Sequence, residues 1–351
     1  MIDSPDRTAI RKHLFKWFDG LDRPLPWLER RNPYKVWVSE IMLQQTQIAT
    51  VVGYYNRFIK RFPNVKKLAA VELDDVLSLW EGLGYYRRAR QLHKAARMIV
   101  ELHDGRFPTD FDQVLSLPGI GRYTAGAILS IALEQRHPIL EGNTVRLFSR
   151  LIGMQQDAFQ GGSQAMLWKV SEALLPRKRV GDFNQALMDF GREVCTAKTP
   201  KCESCCIRNY CKARIQGRQH EIPHRARKIK YEELNESIVL VKRRNKYLVR
   251  QCGEGERWNG LWDFPRVAGH QPQKIAGAIQ DKTGLSVELE SLEHSIRHAV
   301  TRFRIKLDCF RAKSVVGRLT SKSDFIWKTV EEIEALPMNV TGRKFAKKFL
   351  Q

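Results

Sequence analysis

Leu117-Pro118-Gly119-Ile120-Gly121-Arg122-Tyr123-Thr124-Ala125 lies between two stretches of helical periodicity. Two glycines at i and i+2 permit a tight turn and close backbone approach. The helix that starts directly after them has unbonded N–H groups at its first turn. Those groups and the positive end of the helix dipole form an anion site. The same turn also serves any pair of packed antiparallel helices, so the stretch predicts helices and leaves its ligand open.

On both sides of this turn the pattern stays helical. Apolar residues recur at three- and four-residue spacing through Ile10, Leu14, Trp17 and Phe18, from Leu68 to Trp80, and from Ala89 to Val100. Residues 212–231 carry Lys212, Arg214, Arg218, Arg225, Arg227, Lys228 and Lys230 with little apolar material, and read as a basic linker. After them, 237–241, 246–249 and 303–307 have strand character, and 273–282 is helix-like. The expected fold class is mainly α: a helical domain at 1–211, the linker at 212–231, and a smaller α+β domain at 232–351.

The chain has 351 residues and a formal net charge of +22. An excess this large opposes compaction, and points to a polyanionic partner such as nucleic acid. No apolar run approaches the roughly 18 residues of a membrane span, and the polar N-terminus is no secretory signal. A cytoplasmic, monomeric protein is expected. In such a reducing setting clustered cysteines read as a metal site. Five of the seven cysteines cluster, with Cys195-x6-Cys202-x2-Cys205-x5-Cys211 as the regular spacing and Cys206 as a bystander. Zinc accepts four sulfurs, but its ribbons usually bring two paired knuckles from separated positions. Four ligands on one loop suit a [4Fe–4S] cubane with one cysteine per iron.

Pro33 to Thr46 carries a carboxylate among apolar neighbours. On a helix Glu40 shares a face with Val36, Trp37 and Leu43. Desolvation raises the pKa of such a carboxyl, making it a general acid near neutral pH unless it is a paired structural glutamate.

The cysteine spacing resembles the iron–sulfur loop of the endonuclease III and MutY family of DNA glycosylases, and 117–125 resembles their helix–hairpin–helix anchor. Val36 to Thr46 is similar to the catalytic helix of the MutY-type adenine glycosylases, and Trp80 to Arg90 matches another family segment. The resemblance spans residues 10 to 345. It implies a [4Fe–4S] cluster on Cys195, Cys202, Cys205 and Cys211, and a catalytic set of Glu40, Glu141, Tyr123 and Asn143. It also implies DNA contacts from Gln45, Tyr85, Gly119, Gly121, Thr301 and Arg302. Glu40 would protonate a flipped adenine, Gln45 would fill space beside it, and Tyr85 would wedge into the base stack. Tyr123 stands where strand-cleaving relatives have lysine, and a phenol forms no Schiff base, so little lyase activity is expected.

The chain departs from the family pattern in places. Ile139-Leu140-Glu141-Gly142-Asn143-Thr144 carries glutamate where the family has aspartate, and an error of about 1 Å in such an anion costs roughly 100-fold in rate. Glu256 to Pro265 resembles the start of a MutT-like domain, yet 278–285 lacks the glutamates of a pyrophosphate hydrolase. In the family that domain reads 8-oxoguanine with a Phe-Ser-His loop; here His298 to Arg304 supplies Val300-Thr301-Arg302. The expected function is removal of adenine opposite 8-oxoguanine or guanine in double-stranded DNA. A same-fold glycosylase for another base and a catalytically weak damage binder are the alternatives.

Overall fold

The computed structural model describes residues 2–22, 25–29, 31–224 and 231–350. The chain forms two compact units, Met1–Ala70 with Gln91–Lys228, and Val71–Arg90 with Ile229–Gln351.

The first unit is helical, as the periodicity predicts. Its main helices are α1 (Ser4–Asp19), α2 (Pro33–Leu43), α3 (Arg122–Leu133), α4 (Gly142–Ile152), α5 (Gly161–Leu174) and α6 (Val180–Glu193). α3 packs against both α2 and α6, and α6 also meets α1 and α4. Ile10, Leu14, Phe148, Leu167, Phe183 and Phe190 fill the core between α1, α4, α5 and α6. These are the apolar positions of amphipathic helices, and their removal from water drives the packing.

The second unit holds two four-stranded sheets. The strands are β1 (Glu232–Leu240), β2 (Lys242–Arg243), β3 (Lys246–Gln251), β4 (Trp262–Asp263), β5 (Arg266–Ala268), β6 (Leu285–Val300), β7 (Phe303–Gly317) and β8 (Ile326–Thr329). One sheet runs β5-β1-β7-β6, with β1 and β7 parallel; the other runs β2-β3-β4, with β8 beside β3. Helices α7 (Pro272–Thr283) and α8 (Val340–Phe349) pack with these strands. Ile275 and Ile279 of α7 pack with Val239, Leu248 and Phe310, and Phe345 and Phe349 of α8 pack with Ile305 and Leu307.

Two details add to the expected boundaries. Residues 71–90 make their contacts with the C-terminal unit. The cause is polar and long-range: the Arg343 guanidinium donates to Glu81 at 2.6 and 3.0 Å, the Met338 amide donates to Glu81, and Arg90 donates to the Asn259 carbonyl. The linker expected at 212–231 is packed over its first part: Lys212–Ile215 is helical, and Ala213 and Ile222 are buried. Its residues 225–230 lie outside the described residues.

Candidate active site and cysteine loop

α2 begins at Asn32, whose side chain accepts from the Lys35 amide at 3.2 Å, with Pro33 pre-set for the first turn. Every residue from Tyr34 to Met42 except Lys35 is buried, so the helix is enclosed on nearly all sides rather than along one stripe. Glu40 sits in this run at 5% exposure. Burial raises its carboxyl to about 7; the hydrogen bond from Tyr123 pulls the other way, and the charge of Glu141 adds to the rise.

Tyr123 comes from the first turn of α3. Its hydroxyl donates to Glu40 Oε2 at 2.7 Å and lies 3.1 Å from Met188 Sδ. Burial, with two carboxyls nearby, holds the phenol well above its ordinary range. It therefore stays protonated and remains a donor to Glu40.

Glu141 caps α4. Its Oε1 accepts from the Thr144 amide at 2.9 Å, and its Oε2 from the Asn143 amide at 2.9 Å and from Asn143 Nδ2 at 3.2 Å. The Thr144 hydroxyl completes a reciprocal capping box with the Glu141 backbone. Burial nevertheless raises the carboxyl; the two amides and Arg146 only moderate the shift.

The polar chain continues from Asn143. Arg146 donates to Asn143 Oδ1 at 2.9 Å and to the Cys195 carbonyl at 2.7 Å. One turn on, Arg150 is 2% exposed. Its guanidinium donates to the carbonyls of Ile222, Thr196 and Ala197 at 2.8, 2.6 and 3.1 Å, and lies 3.3 Å from Cys195 Sγ. α4 thus carries the capped carboxylate at its start and, farther along, the groups that shape the cysteine loop. Gly191 of α6 lies against Asn143: an added Cβ would stand 2.8 Å from the Asn143 Cβ and 2.9 Å from its carbonyl oxygen.

Cys195, Cys202, Cys205 and Cys211 are free thiols on irregular backbone after α6, and all four line one cavity, which Cys206 does not. Among the described residues no three His, Cys, Asp or Glu side chains gather as a single metal ion requires. Burial raises the Cys205 thiol to about 12. Lys198, Lys201, Arg208 and Lys212 are exposed around the loop.

In the hairpin, Leu117 and Ile120 are buried, anchoring the turn. Gly119 has φ +80°, and a Cβ there would meet Gln91 Cβ at 2.7 Å. Gly121 differs: its φ is −102°, it is the N-cap of α3, and an added Cβ would meet nothing within 4 Å. Only the first glycine is required by the turn itself. Gln45 follows α2, exposed and in the left-handed region at φ +58°.

A model of the HhH-GPD superfamily of base excision DNA repair proteins matches residues 38–172, and one of the NUDIX domain matches residues 237–348. The adenine DNA glycosylase of Buchnera aphidicola subsp. Schizaphis graminum is 41% identical over 241 residues, covering 69% of this chain and 70% of that one. Its counterpart from Buchnera aphidicola subsp. Baizongia pistaciae is 38% identical over 306 residues, covering 84% and 83%. The chain belongs to the adenine DNA glycosylase family. The human adenine DNA glycosylase is 41% identical over 229 residues, 63% of this chain and 42% of the human one. Among solved structures, a thermostable thymine-DNA glycosylase superposes with a TM-score of 0.56 at 27% identity, over 60% of this chain and 98% of that one. A non-covalent endonuclease III–DNA complex has a TM-score of 0.53 at 22% identity, over 62% and 99%, a likeness of fold.

In this family member the remaining expected residues belong to the second unit. Tyr85 is 48% exposed at φ +49°, with the Arg88 guanidinium 5.4 Å from its ring centre. Arg88 is itself tied to the Gly84 carbonyl at 3.0 Å. The stretch read as a loop, His298 to Arg304, is the end of β6, a two-residue turn at Thr301-Arg302, and the start of β7. Thr301 has φ +52° and donates its hydroxyl to the Val300 carbonyl. Arg302 pairs with Glu232 at 3.0 Å and lies over the Phe303 ring. Sequence reasoning missed Arg146, Arg150, Met188 and Gly191. The local sequence carries no signal for the two arginines, which stand one turn apart on α4 beside Asn143 and Ser149.

Among the described residues no helix is long and apolar enough to cross a membrane.

Proposed function

We propose that this chain removes adenine from double-stranded DNA where it lies opposite 8-oxoguanine or guanine, leaving an abasic site without cutting the strand. The observation that carries the reading is the Glu40 carboxyl, buried, raised to about 7 and bonded to Tyr123. Near neutral pH a substantial fraction is protonated, so Glu40 delivers a proton to the purine ring of an extruded base. The C–N bond then breaks with its electrons going to the base, and the sugar develops oxocarbenium character. The new Glu40 carboxylate keeps the hydrogen bond from Tyr123, and the Glu141 carboxylate, held by its cap, faces the positive sugar. Water then bonds to the cationic sugar carbon and gives up a proton to the Glu40 carboxylate, which restores the acid. No amine stands at position 123, which accounts for the absence of a lyase step.

Four sulfurs lining one cavity fit a [4Fe–4S] cluster on Cys195, Cys202, Cys205 and Cys211. When bound, such a cluster would cross-link the loop and support its exposed lysines and arginines toward DNA phosphates. Gly121, with open space over its Cα and the first turn of α3 behind it, supports a phosphate contact at the hairpin. For the second unit we propose lesion recognition without hydrolysis, with Tyr85 as the stacking wedge and Thr301 and Arg302 at the turn.

The test is a panel of duplexes with one mispair each, incubated with enzyme and then cleaved by hot alkali. Strand breaks at adenine opposite 8-oxoguanine and guanine support the reading. Breaks at another base, breaks without alkali, or none at all overturn it.

A further inference from the structure

At the end of α3 away from the hairpin, four arginines line one cavity. Arg7 and Arg11 come from α1, Arg136 from the segment after α3, and Arg177 from the segment after α5; Ser4 and Leu175 complete a space of about 500 Å³. α3 runs 12 residues from its cap at Gly121. That places Arg136 roughly 18 Å along the axis from the hairpin's anion site.

Two of the four are fixed in place. Arg11 donates through Nε and Nη2 to the Leu174 and Ala173 carbonyls at 2.8 Å each, and Arg136 donates to the Glu172 carbonyl at 3.2 Å. Both therefore sit on the negative end of the α5 dipole. Neither bond neutralises the charge, and among the described residues none of the four guanidiniums pairs with a carboxylate. Arg7 Nε is buried with no hydrogen-bond partner. Desolvation depresses Arg11, with Arg7 and Arg136 as further causes. Asp6 shares the first turn of α1 but does not line the cavity.

Four like charges around one concavity, none paired with a carboxylate among the described residues and one of them, Arg11, partly desolvated, repel one another unless an anion joins them. Guanidinium forks match tetrahedral oxyanions, and one carboxylate cannot balance four cations. We propose that this cavity binds a compact phosphate polyanion, separately from the DNA held at the hairpin. The phosphates are those of a free polyphosphate, such as the tail of a nucleotide, or of a second nucleic-acid strand. The cavity's volume of about 500 Å³, enough for a short polyphosphate and too small for a duplex, favours the free form.

The test compares the full-length protein with the double variant Arg7→Gln/Arg177→Gln, which leaves both α5-anchored arginines in place. Inorganic phosphate, tripolyphosphate and an undamaged duplex are titrated by calorimetry and by thermal melting. Tripolyphosphate is expected to saturate one site and raise the melting temperature of the wild type, with at least tenfold weaker binding in the variant. The variant alone should melt no lower than wild type, because only repulsion has been removed, and its base excision should be unchanged. If undamaged duplex competes for the tripolyphosphate site, the natural phosphate is that of nucleic acid; if it does not, it is free. Equal binding by both proteins, no saturation in the wild type, or a variant that melts lower because the arginines were structural would each overturn the proposal.

Discussion

The pocket around Glu40 and the turn between β6 and β7 carry polar groups expected to act in one process, yet the two regions are built in opposite ways. Around Glu40 the groups are buried or half-buried and bonded to one another: Tyr123 to Glu40, and Asn143 to Glu141. At the turn, Thr301 and Arg302 are exposed: Thr301 bonds to a neighbouring carbonyl, and Arg302 pairs with Glu232 and lies over the Phe303 ring. Burial moves a carboxyl's pKa and makes each hydrogen bond costly to lose; exposure leaves a side chain near its ordinary chemistry until a partner covers it. The first region is therefore organised before DNA arrives, while the second acquires its energetics from DNA.

The largest effect should follow Glu40→Gln. The amide keeps the volume and still accepts from Tyr123, but has no proton to give. Single-turnover excision should fall by roughly 10²- to 10⁴-fold with duplex affinity retained, and retained turnover would remove Glu40 as the acid. In the wild type the rate should fall as pH rises through about 7, as Glu40 ionises. Stability follows the same titration. The folded pKa lies above the unfolded one, so the carboxyl costs nothing below about 4.5, and its cost builds up between about 4.5 and 7 and is complete above 7. Glu40→Gln should thus be more stable than wild type at pH 8, by on the order of 3 kcal/mol, and equal to it at pH 4.

Arg150→Met should act through the loop rather than the chemistry. Four backbone carbonyls lose a donor. Removing one partner from a buried charged network costs about 3–5 kcal/mol. The iron content and visible absorption of the purified protein should drop together with its melting temperature. An Arg150→Met protein with full cluster and unchanged melting would show that the loop holds itself.

Glu141→Asp sharpens the comparison within the pocket. Both Glu141 oxygens are engaged, so a carboxylate shorter by one methylene must either leave its cap or draw the cap with it. The expected result is a loss of about tenfold in single-turnover excision, consistent with the cost of displacing a preorganised anion by a fraction of an ångström. A tenfold gain would instead mark glutamate as a handicap at this position.

What the sequence made legible follows the same division. Glu40 was readable because helical periodicity surrounds it with apolar neighbours, and the four cysteines because their spacing is local. Tyr123 was readable for the chemistry a phenol cannot do, but not as the donor to Glu40, since that bond joins residues on two different helices. Arg150 reaches partners 45 to 72 residues away, and nothing local distinguishes it from a surface arginine. The close approach of Gly191 to Asn143 is equally invisible, being set by how α6 crosses α4. His298 to Arg304 reads as a loop because its polar residues hide the alternation of an edge hairpin. Val71–Arg90 joins the distant C-terminal unit through the Glu81–Arg343 pair, a link that no contiguous reading of domains detects.

The smallest effect belongs to Arg302→Ala. The pair with Glu232 is exposed on both sides, 62% and 51%, so its loss should leave melting within about 0.5 kcal/mol of wild type. If Arg302 turns to a phosphate, the variant should lose affinity by a few-fold for all duplexes alike, and the slope of log affinity against log salt should shrink by about one. If Arg302 instead reads the lesion, the loss should fall on adenine opposite 8-oxoguanine and spare adenine opposite guanine. Binding at two salt concentrations with both duplexes separates these outcomes. A large loss of excision with no change in binding would break the comparison altogether, because it would bring an exposed turn into the chemistry that the buried pocket is proposed to perform alone.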